Sequence, residues 1–439
     1  MIHPSSPRPW ALATRGATLA IAALFIAGCA NVAGPGAPAA PVQAAASAAQ
    51  APGYLERAQR QSRTRDEVTV STAVLRRDEG QAHFGMPLID KGVQPVWVQI
   101  TNHGTRPFWL MRSFMDPDFY SPREVARLFR SAGTPEALAA FEHQLINGAI
   151  KLQIGPGKTV SGFVYTTASR GLKLINVELL GLGKVLRFDF AEEQSSGDFD
   201  YQLAGAQRAR PSEPPRNVPL SELGAELQKL PCCTTDAAGT GQGDPLNLAI
   251  VGSERDVLVA LARSGWDFTE TISAASVGRM ISAFAFGSAN RNSPISALFF
   301  DGRSQDFAMQ HARTDISQRS HLRFWQTALQ VDGQPVWIGQ ISRDIGVKVT
   351  TLSKTLTTHM IDPQVDHARF RLLENLLKSG NVARWGYAVG VGEAPREHPR
   401  TNLTEDPYFT DGQRLVLFIS KTPLPITSAQ FIEWDQPKR

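Results

Sequence analysis

The sequence predicts a protein of the α+β and all-β classes, with an N-terminal antiparallel β-sandwich that has a helical insertion and a C-terminal antiparallel sheet with packed helices. In the first part, β-branched and aromatic segments alternate with glycine, proline and asparagine turns, which is typical of a sandwich. In the second part, the order β-α-α-β-β-β-β-α-β-β indicates a mainly antiparallel sheet with helices on one side. A proline-rich stretch, RARPSEPPRNVP, separates the two parts.

The N-terminus has the features of a secretory signal. Arg8 and Arg15 precede an apolar run over 17–27, which is too short for a spanning helix of about 20 residues. The run leads into IAGC, ending at Cys29, and resembles the bacterial lipobox, whose cysteine receives acyl chains such as palmitate and becomes the first mature residue. Ala30 follows, and the resemblance then implies the outer membrane. The alternative is an ordinary signal peptide with an incidental cysteine.

The predicted organisation has five segments. They are a lipoprotein signal peptide (1–28), the lipidated cysteine with an alanine- and proline-rich tether (29–59), a β-sandwich domain (60–195), a linker (196–242) and a second domain (243–425). Roughly 385 residues follow the tether, which is enough for two domains. An anchor followed by a tether predicts a folded part that faces the periplasm.

Net charge and cysteine content limit the classes of partner, disulfide and metal site that the sequence supports. With 45 basic and 41 acidic residues the net charge is only +4, which argues against a nucleic acid partner. Besides Cys29, the chain has the adjacent pair Cys232 and Cys233. An exported protein enters an oxidising compartment, so a vicinal disulfide, two free thiols and pairing between molecules are the alternatives. There is no C-x-x-C spacing that would indicate a thiolate zinc site.

The first domain contains a predicted hairpin and two capped helices. Residues 95–101 and 108–111 are predicted strands, and the Asn-His-Gly-Thr segment between them predicts a turn. Ser121 precedes a helix that has Glu124 three residues after the cap, which is a capping box. A second helix is predicted from Thr134 onward.

Residues 319–344, RSHLRFWQTALQVDGQPVWIGQISRD, predict a hairpin around an Asp332-Gly333 turn. Centred on that turn, the predicted cross-strand pairs are Gln330–Pro335, Trp325–Gln340, Arg323–Ser342 and His321–Asp344. Because side chains alternate, the last three pairs share one face. The opposite, core-facing side carries Leu322, Phe324, Trp337 and Ile341.

A long helix is predicted after Asp362-Pro363, with Asp362 as its cap. Its apolar stripe comprises Val365, Ala368, Leu372, Leu373 and Leu376. Arg369 falls on that stripe, where a charge needs a partner. If the start of this helix meets the polar face of the hairpin, six candidate catalytic or ligand-binding side chains converge there: His321, Arg323, Asp344, His359, Asp366 and Arg369.

Three hypotheses fit such a cluster. In the first, Asp344 orients His321 as a general base, and Arg323 and Arg369 bind an anionic group. In the second, zinc binds His321, His359 and Asp344. In the third, the residues form a hydrogen-bonded network that fixes strand register, or a binding surface without catalysis.

The second domain resembles a known family. Seven motifs occur in order, namely GDPLNLAIVG, SGWDF, SPISALFFDGRSQDFAMQ, SHLRFW, PVWIGQISRDIGV, HMIDPQVDHARF and DPYFTDGQRLVLFI. Together, over about residues 243–420, they resemble the LssY C-terminal domain family. In that family the domain is often joined to phosphatase-type or DedA-type membrane segments. The resemblance brings no established activity.

The sequence therefore predicts a periplasmic lipoprotein of the cell envelope, anchored in the outer membrane through Cys29. Its LssY-like domain is expected to bind an anionic ligand, such as an anionic lipid, or an envelope protein. The alternative is an envelope hydrolase that acts on a phosphorylated lipid or a similar anion. The sequence leaves open whether the protein is an enzyme. Zinc is the cofactor that the second of the three hypotheses requires.

Overall fold

The structure, a computed structural model, describes residues 52–131, 133–194, 211, 213–270, 295–312, 319–349 and 357–434. The side chains of 347–349 and 357–359 are outside the description. The predicted signal peptide, Cys29 and nearly all of the tether also lie outside the described residues. None of the described helices is both long and apolar enough to cross a membrane.

The first half of the described chain is a β-sandwich, as predicted. One sheet has the order β1-β2-β3-β6, with β1 Arg63–Arg65, β2 Val68–Val74, β3 Val93–Asn102 and β6 Thr159–Thr167. The other has the order β5-β4-β7-β8, with β4 Phe108–Leu110, β5 Gln153–Ile154, β7 Leu172–Gly181 and β8 Lys184–Glu193. Alternate valine, isoleucine and phenylalanine side chains of both sheets form the core between them, as the period of two requires.

The predicted hairpin between 95–101 and 108–111 is wrong. Strand β3 pairs with β2 and β6, whereas β4 pairs with β5 and β7 in the facing sheet. The turn residues therefore carry the chain from one sheet to the other. A turn signal marks a reversal of direction, but it does not say in which sheet the next strand lies.

Four helices accompany the sandwich. They are α1 Gly53–Arg60, α2 Arg77–Phe84, α3 Pro122–Leu128 and α4 Pro135–Gly148. Ser121 and Thr134 cap α3 and α4 as predicted, each accepting a hydrogen bond from the backbone N–H three residues on. The apolar residues of all four helices pack with Tyr165 and Phe163 on the outer side of the first sheet. The helical insertion is therefore one layer of the sandwich half.

The second half is organised around a ten-stranded sheet. Its order is β13-β16-β17-β18-β12-β23-β20-β24, and β9 pairs with β17 and β19 with β18. The strands are β9 Arg216–Asn217, β12 Leu248–Val251, β13 Asp267–Phe268, β16 Phe307–Ala312, β17 Arg319–Val331, β18 Gln334–Val349, β19 Thr357–Ile361, β20 Val382–Val389, β23 Gln413–Ile419 and β24 Gln430–Ile432. Most neighbours are antiparallel, but β12 and β23 are parallel.

Smaller sheets flank this one. A four-stranded sheet contains β10 Cys233–Thr235, β11 Gln242–Pro245, β14 Phe299–Phe300 and β15 Arg303–Ser304. A two-stranded sheet contains β21 Arg400–Thr401 and β22 Pro407–Tyr408. The second helix of the predicted β-α-α-β order, near 276–284, lies outside the described residues.

Helices cover both faces of the large sheet, so the expectation of helices on one side is wrong. Helices α6 Glu254–Arg263 and α7 Asp366–Lys378 pack on the face that carries Leu322 and Phe324. Helix α5 Leu220–Gln228 packs on the other face, against Trp325. It lies in the predicted linker, which is folded over its second half, because its leucines form an apolar stripe behind the proline-rich stretch.

The central hairpin forms around Asp332 and Gly333, both with positive φ as a tight turn requires. Near the turn the predicted register holds, with Gln330 opposite Pro335. Beyond a bulge between Gln326 and Gln330 it shifts by two residues, so the predicted pairs farther along are wrong. His321 lies opposite Ser342, Arg323 opposite Gln340, and Trp325 opposite Ile338. A shift of two preserves the faces, since side chains alternate with a period of two.

Candidate functional site

Strand β17 aligns three nitrogen-rich side chains on the face turned away from α7. Arg319, His321 and Arg323 alternate with the core residues Leu322 and Phe324. On β18 the same face carries Gln340, Ser342 and Asp344, and every one of these six polar residues is buried. The group Arg319, His321, Arg323 and Asp344 is called the His321 cluster below.

Asp344 is the centre of this cluster. Its Oδ1 lies 2.8 Å from Nε2 of His321, and its Oδ2 accepts a hydrogen bond of 3.2 Å from Nε of Arg319. Arg319 in turn donates from Nη1 to Oε1 of Gln310 over 2.7 Å. Asp344 is fully buried, so its charge depends on these donors. The carboxylate thereby fixes the orientation of the imidazole ring.

The pKa of His321 is lowered, which favours the neutral imidazole. Burial lowers the pKa of His321, Asp344 opposes that shift, and Arg319 and Arg323 add to it. A carboxylate can only accept, so the neutral tautomer that pairs with Asp344 has its proton on Nε2 and its lone pair on Nδ1. Nδ1 is buried and has no hydrogen-bond partner in the part of the chain that the structure describes. Such a group needs an explanation, because buried polar atoms are nearly always paired.

Arg323 is oriented by neutral oxygen atoms. Its Nη1 donates to Oε1 of Gln340 over 2.8 Å, and its Nε and Nη2 donate to the carbonyl oxygen of Ser296 over 3.2 and 2.9 Å. Gln340 donates from Nε2 to Oγ of Ser342 over 2.9 Å. The amide therefore links the guanidinium group to the strand beside His321.

Sequence reasoning missed Asp244. It lies on β11, is buried, and accepts a hydrogen bond of 2.9 Å at Oδ1 from Nδ2 of Asn402. Burial raises the pKa of Asp244, while Asn402, Arg323 and His321 act against the rise. Asp244 stands in the first motif of the family resemblance, GDPLNLAIVG. An acid at the start of an apolar strand was the available signal, but only the tertiary fold brings it near β17.

Asp366 and Arg369 belong to a different cluster. Arg369 is fully buried and pairs with Asp411 and, at 3.1 Å, with Asp366. Asp366 also accepts hydrogen bonds of 2.8 Å from Oγ1 of Thr410 and from the backbone N–H of Asp411. We call Asp366, Arg369 and Asp411 the Arg369 cluster. It joins the first turn of α7 to the loop before β23.

The predicted convergence is therefore wrong for Asp366 and Arg369, which do not join His321 on one face. Helix α7 buries Ala368, Leu372 and Leu376 against the face of Leu322, whereas His321 points to the other face. The predicted helix cap is also wrong, since α7 begins at Asp366. Asp362 lies four residues before the start of α7 and instead accepts a hydrogen bond of 3.0 Å from the N–H of Gln364.

His359 is placed only through its backbone. It lies on β19 opposite Val347 of β18, and its side chain is outside the description. Within the described ranges, no group of three or more histidine, cysteine, aspartate or glutamate residues is arranged to hold a metal ion. His321 and Asp344 supply two of the three ligands in the zinc hypothesis, and that hypothesis stays a prediction.

Cys232 and Cys233 form the vicinal disulfide that was one of the sequence alternatives. Gln242 donates from Nε2 to the two sulfur atoms over 3.0 and 3.4 Å. Cys233 is buried, with its Sγ 3.8 Å from Oη of Tyr408, and Cys232 is half-buried.

A cavity of about 200 Å³ lies between the sandwich and the second half of the chain. Its lining includes Asp116, Lys173, Trp266 and His311. The two halves also meet through the buried ion pair between Arg263 and Glu178. Residues 51–439 form one compact unit.

The fold and the His321 cluster define an α+β domain that buries a histidine, an aspartate and two arginines on one face of a mostly antiparallel sheet. The sequence model of a family described as LssY C-terminus matches residues 225–413. Residues 225–413 are therefore similar to the LssY C-terminal domain, and the resemblance seen in the motifs is confirmed. The match begins in α5 and includes β17, β18 and Asp244. None of the curated proteins matches the chain.

Proposed function

We propose that this protein is a lipid-anchored envelope protein whose LssY C-terminal domain binds an oxyanion-bearing ligand at the His321 cluster. The observation that carries the proposal is the buried Nδ1 of His321, which lacks a partner among the described residues and lies on a strand face between two arginines. An anion that approached this atom would supply the missing partner.

The charges around His321 suit an anion. Two guanidinium groups, those of Arg319 and Arg323, act on its ring together with the carboxyl groups of Asp344 and Asp244. Guanidinium groups match the geometry of carboxylate and phosphate oxygens, and burial strengthens such hydrogen bonds. Gln340 and the Ser296 carbonyl already hold Arg323 in place, so less side-chain freedom is lost on binding.

Binding is expected to take up a proton. Since Nε2 donates to Asp344, Nδ1 can donate to an oxyanion only when His321 is doubly protonated. The anion stabilises the imidazolium and raises the pKa that burial lowers. Affinity should therefore increase as the pH falls, which distinguishes this site from a surface patch of permanently charged arginines.

The test is calorimetric titration of inorganic sulfate and inorganic phosphate into the wild type and the R323Q variant. We expect affinity to fall about tenfold or more in R323Q, since a charge-assisted contact is lost. The matched control is R343Q, because Arg343 is on the same β18 strand as Asp344 but points to the opposite face. Equal losses in both variants would indicate nonspecific attraction and reject the site.

The source of the anion is tested in parallel. Vesicles of phosphatidylglycerol present the same oxyanion as a lipid headgroup, whereas inorganic phosphate presents it free in solution. If the ligand is a lipid headgroup, vesicle sedimentation depends on Arg323 and free phosphate binds weakly. If it is a free anion, phosphate binds and vesicle sedimentation is the same in wild type and R323Q.

A hydrolase is the second candidate, and the His321–Asp344 geometry favours it. A neutral imidazole oriented by a carboxylate through one nitrogen can accept a proton from water or a hydroxyl group at the other. Base catalysis would rise with pH through the pKa of His321, opposite to the trend for anion binding. Hydrolysis of p-nitrophenyl phosphate that is lost in H321Q and kept in R343Q would support this candidate.

The envelope location rests on the N-terminal sequence, where IAGC ends at Cys29. Several acyl chains anchor a protein stably, because each buried methylene contributes about 0.8 kcal/mol. Labelled palmitate should be incorporated into wild type and into the C232S/C233S variant, but not into C29S. Incorporation into C29S would reject the lipid anchor, and fractionation of the two membranes would test the outer-membrane location.

A further inference from the structure

The disulfide is built into a segment that is anchored on both sides. Arg414 is fully buried and donates from Nη2 to the carbonyl oxygens of Leu230, at 3.1 Å, and of Pro231. The carbonyl oxygen of Cys232 accepts a hydrogen bond of 2.8 Å from the N–H of Leu246. A change in the backbone at the two cysteines is therefore passed to neighbouring strands rather than absorbed by a loop.

The neighbouring strand carries Asp244. Cys233 lies opposite Pro245 in the β10–β11 pair, and Oγ1 of Thr234 donates to the carbonyl oxygen of Asp244 over 3.2 Å. The strands approach closely, since a Cβ on Gly243 would lie 2.5 Å from Oγ1 of Thr234. Asp244 therefore precedes Pro245, the residue opposite Cys233, and its charge environment includes His321 and Arg323.

Gln242 gives the disulfide a polar environment. Its side-chain amide donates to both sulfur atoms from the strand that carries Asp244. An N–H that points at sulfur stabilises a thiolate, so the amide of Gln242 assists release of either sulfur when the bond is broken. Cys232 is the sulfur that solvent reaches, because Cys233 is buried beside Tyr408.

We propose that Cys232–Cys233 is a redox switch that sets the position of Asp244 and thereby the anion affinity of the His321 cluster. The ligand effect rests on the proposed function, whereas the coupling from the disulfide to His321 does not. The ring closed by adjacent cysteines holds the start of β10, and opening it frees β10 and β11 to move. Asp244 then changes its distance to Arg323 and His321.

The chemistry is thiol–disulfide exchange with a dithiol reductant. One thiolate of the reductant attacks Sγ of Cys232, which forms a mixed disulfide and releases Cys233 as a thiolate that takes up a proton. The second thiol of the reductant then attacks the mixed disulfide and releases Cys232. Two electrons and two protons pass to the protein, and the reductant leaves as a disulfide.

The experiment uses the full chain with C29S, so that only Cys232 and Cys233 remain. The protein is oxidised with glutathione disulfide or reduced with dithiothreitol, and alkylation followed by mass spectrometry reports the state of both cysteines. The ring signals of His321, assigned by comparison with H321Q, and the affinity for inorganic sulfate are measured in each state. The control is C29S/C232S/C233S, which has no disulfide to reduce.

We expect the His321 ring signals and their titration to change on reduction, and sulfate affinity to change by about fivefold or more. The control should be insensitive to dithiothreitol in both measurements. Cysteines that stay alkylatable after oxidation, or His321 signals that are identical in the two states, would overturn the switch. Shifted His321 signals without sulfate binding in either state would keep the switch and reject the proposed anion site.

Discussion

The His321 cluster and the Arg369 cluster both combine buried arginine with aspartate, but they differ in how their charges are balanced and in whether they contain a histidine. Arg369 is matched by two carboxylates and joins α7 to the loop before β23. His321 shares one carboxylate with Arg319 and has Arg323 beside it. Each cluster leaves one buried nitrogen without a partner among the described residues, Nε of Arg369 and Nδ1 of His321.

The two nitrogen atoms differ in whether their protonation can change near neutral pH. Arginine stays protonated at every ordinary pH, so Nε of Arg369 keeps the same hydrogen whatever approaches it. Histidine gains or loses its proton near neutrality, so Nδ1 of His321 can change from acceptor to donor. A charge-matched cluster in contact with two elements indicates a structural role. A titratable atom between two cations indicates a place for a ligand.

Removal of Arg369 should have the largest effect on stability. R369A leaves Asp366 and Asp411 without their shared cation, and breaking a buried ion pair costs about 3–5 kcal/mol of unfolding free energy. Urea unfolding followed by circular dichroism measures the loss. A loss below about 1 kcal/mol would mean that this cluster does not hold α7 in place.

The D344N variant should be less damaging. The amide still accepts a hydrogen bond, but the charge that faces Arg319 is gone, so we expect a loss of about 1.5–3 kcal/mol. The pKa of His321 should fall further, because Asp344 is the group that raises it. Urea unfolding and the His321 ring signals give the two values. A pKa that rises in D344N would refute the assignment of Asp344 as the partner of the imidazole.

The pH dependence of the unfolding free energy should reveal the lowered pKa of His321. Because burial lowers the folded-state pKa of His321 below its ordinary value, the unfolded chain binds the proton more readily. That contribution destabilises the fold as the pH drops below about 6.5 and vanishes well above it. H321Q removes it, so wild type should lose stability relative to H321Q between about pH 8 and about pH 5.5.

The other groups at this site do not reverse the sign. Asp344 is the carboxylate that pairs with His321 at both ends of the pH series. Asp244 has a raised pKa and therefore contributes stability that is lost as the pH rises, but it is present in both proteins. A difference between wild type and H321Q that stays constant over the series would show that the pKa of His321 is unshifted on folding.

The smallest effect is expected for R343Q. Arg343 lies between Ser342 and Asp344 in sequence but points away from the cluster, and it is half-buried. The unfolding free energy should change by less than about 0.5 kcal/mol, and sulfate affinity should stay at the wild-type value. A large loss of affinity in R343Q would erase the distinction between the two faces of the strand.

Much of this architecture was predictable because it depends on local patterns. The sandwich, the capped helices, the Asp332-Gly333 turn and the shared face of His321 and Asp344 follow from alternation, capping and turn chemistry. The bulge after Gln326 was not visible, since nothing in the sequence marks two unpaired residues. Its shift by an even number preserved the faces, so the His321–Asp344 contact was still predictable.

The errors concern long-range placement. Hydrophobic periodicity indicates which side of α7 is buried, but not on which face of the sheet the helix packs. For that reason Asp366 and Arg369 were grouped with His321. Asp244 was missed for the converse reason, because more than seventy residues separate it from β17 and only the fold brings them together.

The most direct test of the account is the pH dependence of sulfate binding in wild type and H321Q. Sulfate keeps its charge between about pH 6 and about pH 8, so a change in affinity reports on the protein. We predict that wild type binds sulfate about fivefold or more tightly at the lower pH, and that H321Q binds weakly at both. Equal affinity at the two pH values, or equal binding by both proteins, would contradict a site built on Nδ1 of His321.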